Sequence, residues 1–368
     1  MSKTIVIKLG SSTLTLGSKH LNRAHMLEVV RVIARLKKAG YKVVLVSSGA
    51  VAAGRELLGD PQLPAVLSSK QLLASVGQGR LIEIWESLFA IYDIHIGQIL
   101  LTGADLDDRE RFLNARDTLK ALLDFNIVPV INENDAVCIQ EIKVGDNDNL
   151  AAISGVLAEA AQVILFTDQK GLYTKDPRKF KDAKLIREVH EITDELYELA
   201  GGAGTSLGTG GMATKIKAAS TALKAGMELI IASGAKPEIV FDLVKGEGEA
   251  TFFKPTHSPL MVKKLWLSTM AKSSGQIFID DGAKEAIIKN GASLLPSGII
   301  KVAGEFYRGS IVTLCDLSGK KLAKGISRYS FDEVDRIKRK KSQDIDAILG
   351  FDHGAVVVHR DDLVVLGS

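Results

Sequence analysis

Short runs of branched apolar residues alternate with segments of helical periodicity over the first two-thirds of the chain. The apolar runs predict strands at 4–8, 42–46, 94–101, 127–131, 163–166 and 228–232. Apolar residues spaced three and four positions apart predict helices at 22–39, 72–91 and 213–225, the first of them capped by Asn22. Strands that alternate with helices form βαβ units. The pattern therefore predicts a mostly parallel sheet covered by helices on both faces.

The pattern changes after residue 255, where prolines and a polar stretch at 269–275 predict a connection. Beyond it, short apolar runs separated by glycines predict strands at 276–279, 299–303, 310–314 and 321–327. A helical segment at 283–289 lies among these strands, and another lies near the end of the chain. These elements predict a small second domain that is rich in β-structure.

Composition narrows the class of protein. A chain of 368 residues that is 46% hydrophobic and 25% charged fits two folded domains, and a net charge of +3 does not indicate a general nucleic-acid binder. Cys138 and Cys315 lack metal-ligand spacing, which argues against a zinc site or a disulfide framework. Lys8 interrupts the first apolar run, and no later run is long enough to span a membrane. We therefore expect a cytoplasmic protein without a membrane segment.

Five polar or glycine-rich segments are expected at the carboxyl ends of the sheet strands, where α/β proteins bind ligands. They are 8–12, 47–50, 132–135 together with 143–149, 167–173 and 201–215. Lys8 beside small residues suits phosphate binding, and so does a glycine loop that enters a helix with Lys215 in its first turn. The amides and carboxylates of the third segment suit a small zwitterionic ligand.

Each segment taken alone also fits ordinary structure. The serines at 47–50 can cap a helix, the polar loop can be an Asx-rich turn, and the glycine loop can be a flexible linker. The glycine loop lacks the P-loop spacing, and the polar loop lacks the EF-hand pattern. The basic run at 336–341 fits a solvated helix face better than an RNA contact.

The combination of segments is more informative than any one of them. The motifs occur in the order KLGSS, VSSGAVAAG, SKQLLASVGQ, VPVINENDAV, IKVGDNDNLAA, TDQKGLYTKDPR and GTGGMATK. Together they closely resemble the amino acid kinase family, in the branch that phosphorylates the γ-carboxylate of L-glutamate, and the NENDAV and GDNDN pair is specific to that branch. GAKEAIIKNGASLLPSGI and GISRYS in the second domain resemble a PUA domain.

The resemblance implies a fold and its boundaries. The fold is an α/β amino acid kinase-like sandwich with a mostly parallel central sheet, followed by a small PUA-like β-rich domain. The expected boundaries are a catalytic domain at 1–255, a linker at 256–272, a PUA-like domain at 273–352 and a C-terminal tail at 353–368.

The resemblance also implies site residues. The catalytic set is Lys8, Asp148 and Lys215. The ATP-binding set is Lys8, Gly10, Ser11, Thr167, Asp168, Thr209, Gly210, Gly211, Met212, Ala213, Thr214 and Lys215. The glutamate-binding set is Ser48, Asp135, Lys143 and Asn147. Family members use ATP with Mg²⁺, and the resemblance does not identify the protein ligands of the metal. Family members are also commonly inhibited by L-proline and commonly form dimers or tetramers. The product, L-glutamyl 5-phosphate, begins proline biosynthesis.

Elementary chemistry agrees with this expectation. A carboxylate with a pKa of about 4.3 is already ionised at neutral pH, so its phosphorylation needs no general base. Asp148, between two lysines, would fix their positions instead of taking a proton. Two alternatives stay open at this point. Another amino acid kinase, acting on acetylglutamate or aspartate, would share the ATP loops, although Asp135 argues against an acylated amine. RNA binding through the PUA-like domain is the other alternative, and the near-neutral charge of that domain disfavours it.

Overall fold

The structure is a computed structural model, and it describes residues 3–137, 147–199, 211–269 and 272–366. The chain divides into two compact units, Met1–Thr256 and His257–Ser368. Each unit has its own apolar core.

The first unit is built around one sheet. Its described strands are β1 (Thr4–Leu9), β2 (Lys42–Ser47), β3 (Ile96–Leu101), β4 (Val128–Glu133), β5 (Gln162–Thr167), β6 (Glu188–Val189), β7 (Glu228–Ser233) and β8 (Ala250–Phe253). They lie in the order β3-β4-β2-β1-β5-β7-β8-β6. Neighbouring strands from β3 to β7 pair in parallel, and β8 pairs antiparallel with β7. The predicted mostly parallel sheet is therefore confirmed.

Helices cover both faces of this sheet. The described helices are α1 (Ser11–Thr15), α2 (Arg23–Lys38), α3 (Ala50–Leu57), α4 (Leu67–Ala90), α5 (Gly103–Asp107), α6 (Arg109–Asp124), α7 (Asn147–Leu157), α8 (Asp194–Leu199), α9 (Met212–Lys224) and α10 (Val240–Leu243). The predicted cap of α2 is confirmed, because the Asn22 side chain accepts a hydrogen bond from the backbone N–H of His25 at 2.9 Å.

Side-chain alternation along β1 assigns each face of the sheet to a different helical layer. Ile5 and Ile7 belong to the core that α2 and α4 cover, whereas Val6 belongs to the core that α7 and α9 cover. Successive side chains of a strand point to opposite faces. Lys8 therefore lies on the same face as Val6, under α7 and α9.

The second unit has a five-stranded sheet in the order β10-β9-β11-β12-β13. Its strands are β9 (Gly275–Ile279), β10 (Ile299–Gly304), β11 (Ile311–Cys315), β12 (Lys321–Ile326) and β13 (Leu363–Val365). Its helices are α11 (Pro259–Thr269), α12 (Asp281–Asn290), α13 (Phe331–Ile337) and α14 (Ile345–Leu349). The β-rich character predicted for this part of the chain is confirmed.

The boundaries of the second unit differ from those expected. The segment at 256–272, expected to be a linker, contains α11, which packs against β12 and β13. Lys263 on α11 pairs with Asp362 at 2.9 Å. The segment at 353–368, expected to be a tail, supplies β13, which pairs antiparallel with β12. The helix was missed because a proline at the first helical position, as in α11, is compatible with a helix. The strand was missed because the three residues of β13 are too few to show an alternating pattern.

Among the described residues, no helix combines the length and the apolar character that a membrane crossing requires.

Candidate active site

The predicted catalytic residues meet where β1, α7 and α9 come together. The ammonium group of Lys8, near the end of β1, donates to Asp148 Oδ1 at 2.5 Å. The ammonium group of Lys215, in the first turn of α9, donates to Asp148 Oδ2 at 3.0 Å. Asp148 has no exposed surface, and each lysine is 6% exposed. Residues 140 and 67 positions apart in sequence therefore form one buried charge cluster with a net charge of about +1.

The pKa of Asp148 reflects two opposing effects. Burial alone would raise the pKa, because a charged carboxylate loses its hydration, but the ammonium groups of Lys8 and Lys215 outweigh this and hold the pKa below its ordinary value. Asp148 is therefore ionised at neutral pH. A carboxylate with a lowered pKa is a poor proton acceptor, so its part in the site is electrostatic.

The start of α9 supplies further polar groups to the same cluster. The Thr214 hydroxyl lies 3.0 Å from Asp148 Oδ2 and 2.7 Å from the Gly211 carbonyl oxygen. Gly211 is the residue before the helix, with Met212 and Ala213 following in its first turn. The free backbone N–H groups and positive dipole of a helix N-terminus, together with an ammonium group, form an arrangement that binds phosphate.

The predicted ATP residues outside α9 lie at neighbouring strand ends. Lys8 is the residue before the last of β1, and Gly10 directly follows the strand. A Cβ atom placed on Gly10 would lie 3.4 Å from the Lys8 ammonium nitrogen. Ser11 is exposed in the first turn of α1. Thr167 ends β5 and donates to the exposed Asp168 carboxylate at 2.9 Å. These positions are compatible with an ATP site and stay predictions in their individual roles.

A second group of polar side chains lies beside the charge cluster. Asn147, next to Asp148 at the start of α7, donates through Nδ2 to Ser48 Oγ at 2.7 Å and to Asn132 Oδ1 at 2.9 Å. Asn132 donates in turn to Gln78 Oε1 at 2.8 Å. Ser48 and Asn147 were both predicted to bind the substrate. The structure brings them together although they are 99 positions apart in the chain.

The remaining predicted substrate residues have different outcomes. Asp135 is half-buried in the turn directly after β4, close in sequence to Asn132. Lys143 lies outside the described residues, as do Thr209 and Gly210 of the predicted ATP set. Their assignments stay predictions.

Sequence reasoning did not identify Gln78, a member of the polar group, or Trp85, which bonds to the neighbour of Ser48, as site residues. Gln78 lies inside the SVGQ motif, so its position was available, but nothing in a single sequence shows that it bonds to Asn132. Trp85 lies outside the motifs, and a tryptophan on a helix is ordinarily a packing residue. It is wholly buried, and its indole nitrogen also donates to Ser47 Oγ at 2.9 Å.

No group of three or more His, Cys, Asp and Glu side chains within the described ranges is arranged to hold a metal ion. The two Asp148 oxygens already accept hydrogen bonds from ammonium groups.

Comparison with known proteins places this fold and site. Residues 3–233 match the amino acid kinase family, and residues 275–349 match the PUA domain. The carbamate kinase of Giardia lamblia bound to AMP-PNP has a similar fold, with a TM-score of 0.52 at 17% identity, over 69% of this chain and 99% of that chain. The fold is therefore that of the amino acid kinase family.

The sequence relatives narrow the class further. The chain is 56% identical over 363 residues to the glutamate 5-kinases of Escherichia fergusonii and Shigella flexneri, and the match covers 99% of this chain and 99% of each relative. The chain belongs to the amino acid kinase family and, within it, to the glutamate 5-kinases. The resemblance found in the sequence motifs is confirmed.

Proposed function

We propose that this protein transfers the γ-phosphoryl group of ATP to the γ-carboxylate of L-glutamate, which gives L-glutamyl 5-phosphate and begins proline biosynthesis. The observation that carries the proposal is the Lys8–Asp148–Lys215 cluster beside the polar group of Ser48 and Asn147. One part suits a polyphosphate, and the other suits a small polar acceptor.

The reaction needs charge compensation more than proton transfer. An oxygen of the ionised carboxylate attacks the γ-phosphorus, and the bond to the β,γ-bridging oxygen breaks, so that ADP leaves with the electron pair. The barrier arises largely because an anion approaches a polyanion. Lys8 and Lys215 are held by Asp148 before the substrates arrive, and preorganised charges of this kind stabilise the transferring phosphoryl group without reorganisation.

Asp148 is central to this arrangement because it limits the freedom of both lysines. A lysine side chain has several rotatable bonds, and two ammonium groups close together repel each other. The Asp148 carboxylate offsets that repulsion and fixes both nitrogens at hydrogen-bond distance. The net positive charge that remains is available to the nucleotide phosphates.

ATP would bind with its phosphates at the N-terminus of α9 and its nucleoside towards Thr167 and Asp168. Mg²⁺, when bound with the nucleotide, would neutralise charge on the β- and γ-phosphates. We infer that phosphate oxygens and water supply most of its ligands, because both Asp148 oxygens already accept hydrogen bonds from ammonium groups.

Hydrogen-bond directions suggest how the acceptor is held. Ser48 Oγ accepts a hydrogen bond from Asn147, which leaves its own hydrogen to donate to a substrate carboxylate. Both hydrogens of Asn147 Nδ2 are used by Ser48 and Asn132, whereas Asn147 Oδ1 has no partner among the described residues. We therefore assign Asn147 Oδ1, together with the Asp135 carboxylate, to the α-ammonium group.

The acceptor can be identified by measuring ADP release with L-glutamate, N-acetylglutamate, aspartate and carbamate at equal concentrations. Glutamate should support by far the fastest reaction. N-acetylglutamate should be poor because its blocked nitrogen carries no charge for Asp135 to bind. A higher kcat/KM for any other member of the panel would refute the assignment.

We also propose feedback inhibition by L-proline, because proline shares an α-carboxylate and a charged amine with glutamate. Proline would bind at or across the Ser48, Asp135 and Asn147 positions. Saturating glutamate should then relieve the inhibition, and inhibition that persists unchanged would mean separate sites. Homo-oligomer formation and a cytoplasmic location stay predictions, and sedimentation of the purified protein tests the first of them.

A further inference from the structure

Two side chains of α4, the half-buried Gln78 and the buried Trp85, point towards the strand ends that carry the proposed acceptor site. Gln78 and Trp85 lie seven positions apart, which is about two helical turns, so they share one face of the helix. Gln78 bonds to the side chain of Asn132, and Trp85 bonds to the side chain of Ser47. Neither contact is needed to form α4 itself.

Two chains of hydrogen bonds, called arms here, run from α4 towards the acceptor site. The arm that begins at Trp85 passes through Ser47 and ends at the backbone of Ser48. The indole N–H donates to Ser47 Oγ at 2.9 Å, and the Ser47 hydroxyl donates to the carbonyl oxygen of Ser48 at 2.9 Å. Trp85 and Ser47 are both fully buried. A buried hydrogen-bond donor or acceptor that loses its partner costs about 1–3 kcal/mol, so each group holds its neighbour in place.

The arm that begins at Gln78 reaches Asn147. Gln78 Oε1 accepts from Asn132, and Asn132 Oδ1 accepts from Asn147 Nδ2. The other hydrogen of this nitrogen goes to Ser48 Oγ, so the two arms meet at the Ser48–Asn147 hydrogen bond of 2.7 Å. Because the donor and the acceptor of each hydrogen bond in both arms are fixed, the arms determine which hydrogen bonds Ser48 and Asn147 can still form with a ligand.

The position of α4 beneath this site is itself tightly constrained. A Cβ atom on Gly77, the residue before Gln78, would lie 1.9 Å from the carbonyl oxygen of Ala50, two positions after Ser48. A Cβ atom on Gly54 would lie 1.9 Å from the carbonyl oxygen of Leu73. The backbones of α3 and α4 are therefore in direct contact, which gives the two arms a rigid base.

We propose that Gln78 and Trp85 are positioning residues for the acceptor substrate, acting through Asn132 and Ser47 on Asn147 and Ser48. The proposal rests on the proposed function, because it assigns the acceptor to the Ser48 and Asn147 positions. Neither residue is expected to touch ATP. Loss of either arm should weaken the binding of the acceptor while leaving nucleotide binding unchanged.

The test uses conservative pairs in the full-length protein. Ser47→Ala removes the hydroxyl of one arm, and Ser47→Thr keeps it. Gln78→Met removes the acceptor oxygen of the other arm at similar length, and Gln78→Glu keeps an acceptor oxygen. Ser87→Ala is the matched control, because the Ser87 hydroxyl on the same helix bonds to the Ile84 carbonyl oxygen.

The measurement is the KM for the acceptor and the KM for ATP of each variant, with thermal stability recorded alongside. Ser47→Ala and Gln78→Met should raise the acceptor KM about tenfold or more with the ATP KM within about twofold. Ser47→Thr and Gln78→Glu should restore most of the loss, and Ser87→Ala should match the wild type.

Two results would overturn the proposal. If Ser47→Ala and Gln78→Met lower the melting temperature but keep the acceptor KM near the wild-type value, the two arms are structural only. If both KM values rise together, the arms do not serve the acceptor side. The wild-type protein is tested with the acceptor panel in the same assay. A preferred acceptor other than glutamate would refute the proposed function, and the KM comparison is then made with that acceptor.

Discussion

The ammonium group of Lys8 lies 2.5 Å from the carboxylate of Asp148, although the two residues are 140 positions apart in the chain. Alternation along β1 turns Lys8 towards the layer of helices that contains α7, and Asp148 lies in the first turn of α7. Lys215 of α9 reaches the other carboxylate oxygen. The βαβ topology thus brings together, in one buried charge cluster, residues that no local motif links.

Replacing Asp148 separates its electrostatic role from a helix-capping role. Asn caps a helix about as well as Asp, so a capping role predicts a nearly silent Asp148→Asn change. The structure predicts a fall in kcat on the order of 100-fold or more, with the KM for glutamate much less affected. Stability should also fall by about 3–5 kcal/mol, because two nearly buried ammonium groups lose their counter-charge. Steady-state kinetics and urea unfolding measure both effects.

A matched control for this change is Asp124→Asn. The Asp124 carboxylate also accepts hydrogen bonds from two lysines, Lys42 at 2.7 Å and Lys120 at 2.5 Å, but on the surface. Exposed ion pairs contribute little to stability, so this variant should keep wild-type activity and unfold at almost the same urea concentration. Equal effects from the two substitutions would mean that burial at Asp148 has no special consequence.

The lowered pKa of Asp148 predicts how the stability difference between wild type and Asp148→Asn depends on pH. The Asp148 carboxylate binds a proton more readily in the unfolded chain than in the folded protein. The free energy of unfolding that this group contributes therefore rises with pH between the folded and the unfolded pKa. The stabilisation should be fully present above about pH 4 and should be lost as the pH falls towards the folded pKa. Urea unfolding across the acid range checks this. A difference that already disappears near neutral pH would indicate a raised pKa instead.

The contact between α3 and α4 predicts opposite effects for two glycines in one helix. A Cβ atom on Gly77 would lie 1.9 Å from the Ala50 carbonyl oxygen, so Gly77→Ala must push the helices apart and should cost about 3 kcal/mol or more. A Cβ atom on Gly79 would meet nothing within 4 Å, so Gly79→Ala should stabilise the helix by roughly 0.5–1 kcal/mol. Thermal unfolding distinguishes the two, and a tolerated Gly77→Ala would contradict the close contact.

The division of the chain at Thr256 predicts that the first unit folds and is active alone. All described residues of the charge cluster and of the polar group lie before this point. A chain shortened to residues 1–256 should therefore release ADP in the presence of glutamate. One that ends at Thr269 should aggregate more readily, because it keeps α11 without the strands that it packs against. An inactive but well-folded 1–256 chain would show that the second unit takes part in catalysis.

Hydrophobic periodicity predicted much of the fold. The strand that begins at Thr4 and the helix capped by Asn22 were recognisable because each buries a regular pattern of apolar residues. The antiparallel β8 and the short β13 were not predicted, since pairing with a distant strand stabilises them more than their own pattern does. Helix α11 was not predicted because a proline in the sequence indicates a possible break. Only the structure shows that Pro259 is the first residue of a helix.

The candidate site was predicted as a set of residues but not as a geometry. Motif order was enough to group Lys8, Asp148 and Lys215. The hydrogen bonds of Gln78 and Trp85 depend on how α4 packs on the sheet, which no spacing within one sequence specifies. For the same reason the donor and acceptor assignment at Asn147 required the structure.

Trapping of the product with hydroxylamine tests the central claim most directly. An acyl phosphate reacts with hydroxylamine to give a hydroxamate, whereas hydrolysis of ATP alone forms no hydroxamate. The purified protein with ATP, Mg²⁺ and L-glutamate should form γ-glutamyl hydroxamate in proportion to the ADP released, and Asp148→Asn should lose both products together. Release of ADP without hydroxamate, or a hydroxamate formed at the α-carboxyl group, would contradict phosphorylation of the γ-carboxylate.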